Sequence, residues 1–151
     1  MTAQSSEDLI YNNESYRMFS EPLEQYLSKL TTRPYFYSPN TACWRGYRGW
    51  WEIRNDRLFL VNLILWTGPK STSGIEFLFP GKQVVFADWF SGEIRLPKGE
   101  LLEYLHSGYE SIYEEDLILK LKGGVVGKSQ TVNNHRRCKK YLREVERNNK
   151  K

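Results

Sequence analysis

The chain has 151 residues, with 22 Lys or Arg against 18 Asp or Glu, a formal net charge of +4, 40% hydrophobic and 15% aromatic residues. A chain of this size folds to roughly 8,000 Å² of surface and buries about two thirds of what it exposes unfolded, which is one core and not two full domains. The longest charge-free apolar stretch, residues 58–69, is too short for a helix across a ~30 Å hydrocarbon layer, and two cysteines, Cys43 and Cys138, make no disulfide framework.

The charge is uneven. Residues 133–151 hold eight Lys or Arg and two Glu, a local +6, which leaves −2 for residues 1–132. The expected organisation is therefore a single globular domain over 1–132 and a basic helical tail over 133–151. The opening Met-Thr-Ala-Gln-Ser-Ser-Glu-Asp has neither a basic nor an apolar region of the kind that directs secretion, so a cytoplasmic protein is expected.

In chain order, residues 2–8 read as frayed and Ile10 to Phe19 as irregular or extended. From Ser20 the pattern becomes helical: Pro22 suits a first turn, and Leu23, Tyr26, Leu27 and Leu30 recur at helical spacing, predicting about three turns that stop before Pro34. Tyr47 to Arg54, Asn55-Asp56 and Arg57 to Trp66 predict a β-hairpin, whose second strand is apolar on both faces and is expected mid-sheet, covered on both sides. Thr67 to Gly74 reads as a loop, and Ile75 to Phe79 with Gln83 to Ala87 as a second hairpin about Pro80-Gly81. Glu93 to Leu96 reads as a short strand closed by Pro97-Lys98-Gly99. Glu100 to His106 fits helix or strand. Asp116 to Lys122 alternates as a half-buried strand, and Gly123-Gly124 turns into a return through Val125 and Val126. The predicted fold class is α+β: mainly antiparallel strands in a curved sheet or partly open barrel, one N-terminal helix and a basic C-terminal helix.

Three regions invite a functional reading. Gln25 to Trp51 contains no acid, yet interleaves Lys29, Arg33, Arg45 and Arg48 with Tyr35, Phe36, Tyr37, Trp44, Tyr47, Trp50 and Trp51. Rings stack on flat groups while arginines pair with phosphate or carboxylate, so Trp44, Arg45, Tyr47 and Arg48 are candidate ligand-binding residues for an anion. The bland alternative is a sheet whose rings are covered by arginine stems. In the tail, Cys138, Tyr141, Leu142 and Val145 form a helical stripe, with Arg136, Arg137, Lys139, Lys140 and Arg143 as candidate contacts to nucleic acid or a partner. A helix docked on the acidic body explains the same pattern.

The third region, Glu93 to Asp116, carries seven acids against two cations. Within reach of it, His106 with Asp88 or Glu110 is a weak catalytic constellation, since a histidine in a turn titrates near neutral pH. Other motifs fail: Gly123 to Ser129 lacks the first glycine of a phosphate-binding loop, Ser71 and Ser73 lack nucleophile-elbow spacing, and His135 with Cys138 supplies only two ligands, so no metal or cofactor is expected.

Thr41-Ala42-Cys43-Trp44-Arg45-Gly46-Tyr47 through Ile53, and Phe86-Ala87-Asp88-Trp89-Phe90-Ser91-Gly92-Glu93-Ile94-Arg95 through Tyr109, resemble stretches of small uncharacterised bacterial proteins, over roughly residues 35–126. The resemblance implies a bacterial origin and transfers no activity. The functional expectation is a non-enzymatic binding or interaction module with an aromatic and arginine-lined site for an anionic ligand or partner. The alternatives are a small hydrolase or lyase using His106, and nucleic-acid binding through the tail; homo-oligomerisation fits the two charge poles.

Overall fold

Asn12, Asn13, Asn55 and Asp56 all have positive φ, between 49° and 65°, in the computed structural model, which describes residues 3–68, 70–105, 108–135 and 147. Each pair is the two-residue turn of a hairpin, because Asn and Asp tolerate the left-handed region that such turns demand. The first hairpin is β1 (Glu7–Tyr11) and β2 (Glu14–Met18); the second is β3 (Tyr47–Arg54) and β4 (Arg57–Trp66). Residues 3–8 are therefore not frayed, and Ile10 to Phe19 takes the extended alternative, interrupted by the Asn12-Asn13 turn. The amides of Gln4 and Ser5 donate to the carbonyls of Gly108 and Ala42, and β1 lies parallel to β3 with Leu9 opposite Trp51.

The sheet is mixed, mainly antiparallel and not closed. Its order is β2-β1-β3-β4-β9-β8-β7, with the short β5 (Ser71–Ser73) and β6 (Val85–Phe86) both paired to β4. The long strands β7 (Gly92–Glu103), β8 (Ile112–Lys122) and β9 (Val125–Asn133) form one antiparallel unit. Beyond the end of β2, the Phe19 amide donates to the Arg95 carbonyl at 2.8 Å, so the two ends of the strand order approach without forming a ladder.

β4 is central, as its apolar run requires. Its pairing with β3 jumps from Trp50↔Asn62 to Trp51↔Leu60, which leaves Val61 as an extra residue. That bulge puts Leu58, Leu60, Leu63 and Leu65 on one fully buried face; without it Leu63 and Leu65 would point away from Leu58 and Leu60. The opposite face is half-buried, so the expected cover on both sides is met on one.

The helices are short. The expected three turns after Ser20 reduce to α1 (Leu23–Leu27), whose buried Leu23 and Leu27 join the core. From Lys29 the amides bond three residues back, to Tyr26 and Leu27, and regular helix ends there. The expected Ile75–Phe79 strand is instead α2 (Gly74–Leu78), with the Phe79 amide on the Ile75 carbonyl at 2.7 Å. Ile75, Leu78 and Phe79 sit at helical spacing, and an apolar run this short fits either period. Pro97 does not close β7: it pairs with Asp116 in an edge strand, where a missing N–H is tolerated, and the strand continues past a bulge to Glu103. Of the expected basic helical tail over 133–151, Asn133 is instead the last residue of β9, and apart from Asn134, His135 and Arg147 the rest lies outside the described residues.

Candidate functional site

Strand alternation divides the two acids of β1. Glu7 points into the protein beside β3 and is fully buried, whereas Asp8 points outward. Outside, Asp8 holds Arg48 at 2.7 Å, and the Arg48 guanidinium lies 5.0 Å from the Trp50 ring centre. Inside, the Glu7 carboxylate accepts from Arg45 Nη2 at 2.8 Å, the Gly49 amide at 2.7 Å and Trp51 Nε1 at 3.3 Å. Gly49 makes this approach possible, since a Cβ there would stand 2.7 Å from Glu7 Oε1. Thus the acid-free window of the sequence is not acid-free in space: the parallel β1–β3 pairing delivers Glu7 and Asp8 to Arg45 and Arg48.

The network continues through Arg45, whose side chain is 6% exposed. Its Nε stands 3.4 Å from Glu21, and Glu21 accepts from the Tyr109 hydroxyl at 3.1 Å. Nη1 of Arg45 is buried and has no hydrogen-bond partner among the described residues. Tyr47 is fully buried, packs its ring 5.4 Å from the Arg45 guanidinium and donates its hydroxyl to Glu24 at 2.7 Å. Glu24 also receives a bidentate pair from Arg33, at 2.8 and 3.0 Å.

Titration in this cluster follows from burial and pairing. Burial pushes the Glu7 carboxyl above its ordinary range, against the pull of Arg45 and the Gly49 amide. Arg33 holds Glu24 below it. Burial, then the charge of Glu24, raises Tyr47, and burial outweighs Arg45 in raising Tyr109, so both phenols stay neutral. Burial works against the charge on Arg45, but its surrounding partners, Glu7 first among them, together more than compensate and its pKa is raised.

Residues 33–46 strap across this network. The Tyr37 amide donates to the Trp66 carbonyl at 2.6 Å, and the Trp66 amide to the Gly46 carbonyl at 2.9 Å. Gly46 has φ +74°, and a Cβ on it would lie 2.6 Å from Phe36 Cβ, so only glycine lets the strap pass this close. The strap and Arg45 bound an open groove of about 310 Å³ lined by Arg33, Pro34, Tyr35, Phe36, Trp44 and Arg45. Phe36 is buried, but Tyr35 is 81% and Trp44 55% exposed. Two of the five Arg33 N–H groups are spent on Glu24.

Of the candidate binding residues, then, Trp44 and Arg45 meet in one groove, Tyr47 lies in the core beneath and Arg48 is on the other face of β3. Sequence reasoning missed Glu7 and Glu21; Glu7 carries no local signal, because an acid one residue from another acid reads as surface. The cavity of about 490 Å³ beside β8 is lined by Arg95, Tyr109, Glu110, Asp116 and Asn134 among others, with Asp116 paired to Arg95 at 3.0 Å and to Asn134. Glu110 is exposed at this end of β8, whereas Asp88 is exposed near Gly123 at the other, about 30 Å away along an eleven-residue strand. They do not share a site, and His106 lies outside the described residues. Cys43 is buried, with its thiol on the Tyr47 carbonyl. Among the described residues no three His, Cys, Asp or Glu are placed to hold a metal, and no helix is long and apolar enough to cross a membrane.

No protein-family model, curated protein or solved structure matches this chain.

Proposed function

We propose that the chain is a non-enzymatic binding module, and that the 33–46 strap receives an anionic group borne by a ligand or partner. One observation carries the reading: an exposed tyrosine and an exposed tryptophan flank a groove rimmed by Arg33, which among the described residues spends only two of its five N–H groups, with the buried Arg45 guanidinium beneath. Trp, Tyr and Arg dominate contact energies where partners meet, because each offers large area together with a directed polar group. Two large rings left in water gain by being covered, and a guanidinium beside them selects for carboxylate or phosphate.

Intrinsic tryptophan fluorescence tests this with three probes: inorganic phosphate, a nucleoside monophosphate and a hexaglutamate peptide. The expected result is saturable quenching by at least one, weakened at least tenfold in Trp44→Ala and in Arg33→Ala. Both residues are solvent-exposed in part, so the variants fold. Absence of saturable binding to all three, or unchanged affinity in both variants, overturns the assignment.

A further inference from the structure

From Gly127 onward, β9 is paired along one edge only among the described residues. Val125 lies opposite Arg57 and the Val126 amide donates to the Asp56 carbonyl at 2.7 Å, but the β3–β4 hairpin turns back at Asn55-Asp56. From Gly127 the strand runs past the end of that hairpin, with β8 on one side and no strand among the described residues on the other. The phase of the ladder is fixed by the Asn134 amide, which donates to the Glu114 carbonyl at 2.9 Å. In an antiparallel pair bonded positions alternate, so Val132, Gln130 and Lys128 bond β8 while Ser129, Thr131 and Asn133 turn N–H and C=O outward. All three are exposed. Free edges are ordinarily blunted by a central charge or a proline. This one has neither: Lys128 is its single charge, and it stands toward one end.

We infer that this edge pairs with the same edge of a second copy, antiparallel about a two-fold axis through Thr131. In that register Thr131 faces Thr131 of the other copy and Ser129 faces Asn133, giving up to six backbone hydrogen bonds and one continuous sheet from two β7–β8–β9 units. Lys128 falls opposite Asn134, so the two lysines are about 20 Å apart and each approaches the end of β8 that carries Glu114 and Glu115. The edge is thus self-complementary in charge as well as in hydrogen bonding. One short edge buries less than the ~1,000 Å² of a stable interface, so the dimer forms reversibly with concentration.

Sedimentation of the full chain from about 10 μM to about 1 mM, the range for weak interfaces, is expected to show the mass rise from 17.9 kDa toward twice that value. Thr131→Pro removes an outward donor and no β8 bond, so it is expected to stay monomeric while melting close to the parent. Thr131→Lys, which opposes two like charges on the axis, is expected to weaken association at least tenfold, with partial recovery in salt. Hydrogen exchange at Ser129, Thr131 and Asn133 is expected to slow as concentration rises. A chain that stays monomeric throughout, both variants associating like the parent, or equal protection at every concentration, as cover by the chain's own tail would give, each overturns the inference.

Discussion

Glu7 and Arg45, 38 residues apart in sequence, form a 2.8 Å ion pair from which solvent is almost wholly excluded. Two charges taken out of water are each expensive, and their attraction offsets this only while both are present with their other hydrogen bonds made. Removing Arg45 alone leaves Glu7 charged in the core or forces it to protonate. Arg45→Met is therefore expected to lose about 3–5 kcal/mol, and Glu7→Gln combined with Arg45→Met to lose clearly less than the sum of the single changes. Urea unfolding of the four proteins measures the coupling. Additive losses would mean that the pair contributes packing and no electrostatic coupling.

Glu7 and Glu24 give stability opposite dependences on pH. Glu7 is raised by burial, so the folded protein holds that proton more tightly than the unfolded chain; its contribution is full below about pH 4.5 and is lost as pH rises through the folded value. Glu24 is lowered by Arg33, so its contribution is present above about pH 4.5 and is lost as pH falls through the folded value. Subtracting stability–pH curves separates them. The difference between parent and Glu7→Gln is expected to fall with rising pH above 4.5, and that between parent and Glu24→Gln to rise with pH below 4.5. The Glu24 effect is the smaller, because its side chain is partly solvated. Slopes of the same sign in both difference curves would contradict this reading.

The sheet was legible in sequence where local chemistry decides it. Asn55-Asp56 between apolar runs announces its hairpin, and Gly123-Gly124 announces the turn into β9. The equivalent turn at Asn12-Asn13 was missed because Glu14 to Met18 shows no apolar alternation: β2 ends the strand order and most of its side chains face solvent. Pro97 misleads for the matching reason, being a strand terminator only where both edges of the strand are paired. The groove was half legible. Arginines and rings between 33 and 48 marked the region, but which of them remain available depends on Glu7 and Asp8. A parallel pairing between β1 and β3, separated by a helix and a long strap, leaves no mark on either segment.

Gly46 tests whether the strap is built to close tolerance. With φ +74° and a would-be Cβ 2.6 Å from Phe36 and 2.8 Å from the Tyr37 carbonyl, Gly46→Ala pairs an unfavourable backbone conformation with a contact that neither rigid neighbour can relieve. The expected loss is about 2–4 kcal/mol in urea unfolding, beyond the ~1 kcal/mol of a left-handed alanine in open space. Gly81→Ala is the control, at φ +80° with nothing within 4 Å of the added atom. Equal losses at both positions would show that the strap moves aside freely.

The two Asn-led turns offer changes that should gain stability. Asn13 and Asp56 hold φ of 65° and 62°, which every non-glycine residue adopts at a cost. Asn-Gly is the sequence such a turn prefers, so Asn13→Gly and Asp56→Gly relieve that cost while the backbone bonds remain, including the one from the Val126 amide to the Asp56 carbonyl. Each is expected to gain about 0.5 kcal/mol, since greater freedom of glycine in the unfolded chain takes back part of the benefit. The converse, Asp56→Val, puts a β-branched residue at positive φ and is expected to lose about 1–2 kcal/mol. Because β1 and β3 run parallel, both turns lie at the same end of the sheet, and the double glycine variant reads whether they couple. Gains that add within about 0.5 kcal/mol in urea midpoints at constant slope mean independent turns. A loss in Asp56→Gly alone would reveal a stabilising contact of the Asp56 carboxylate that outweighs its backbone strain.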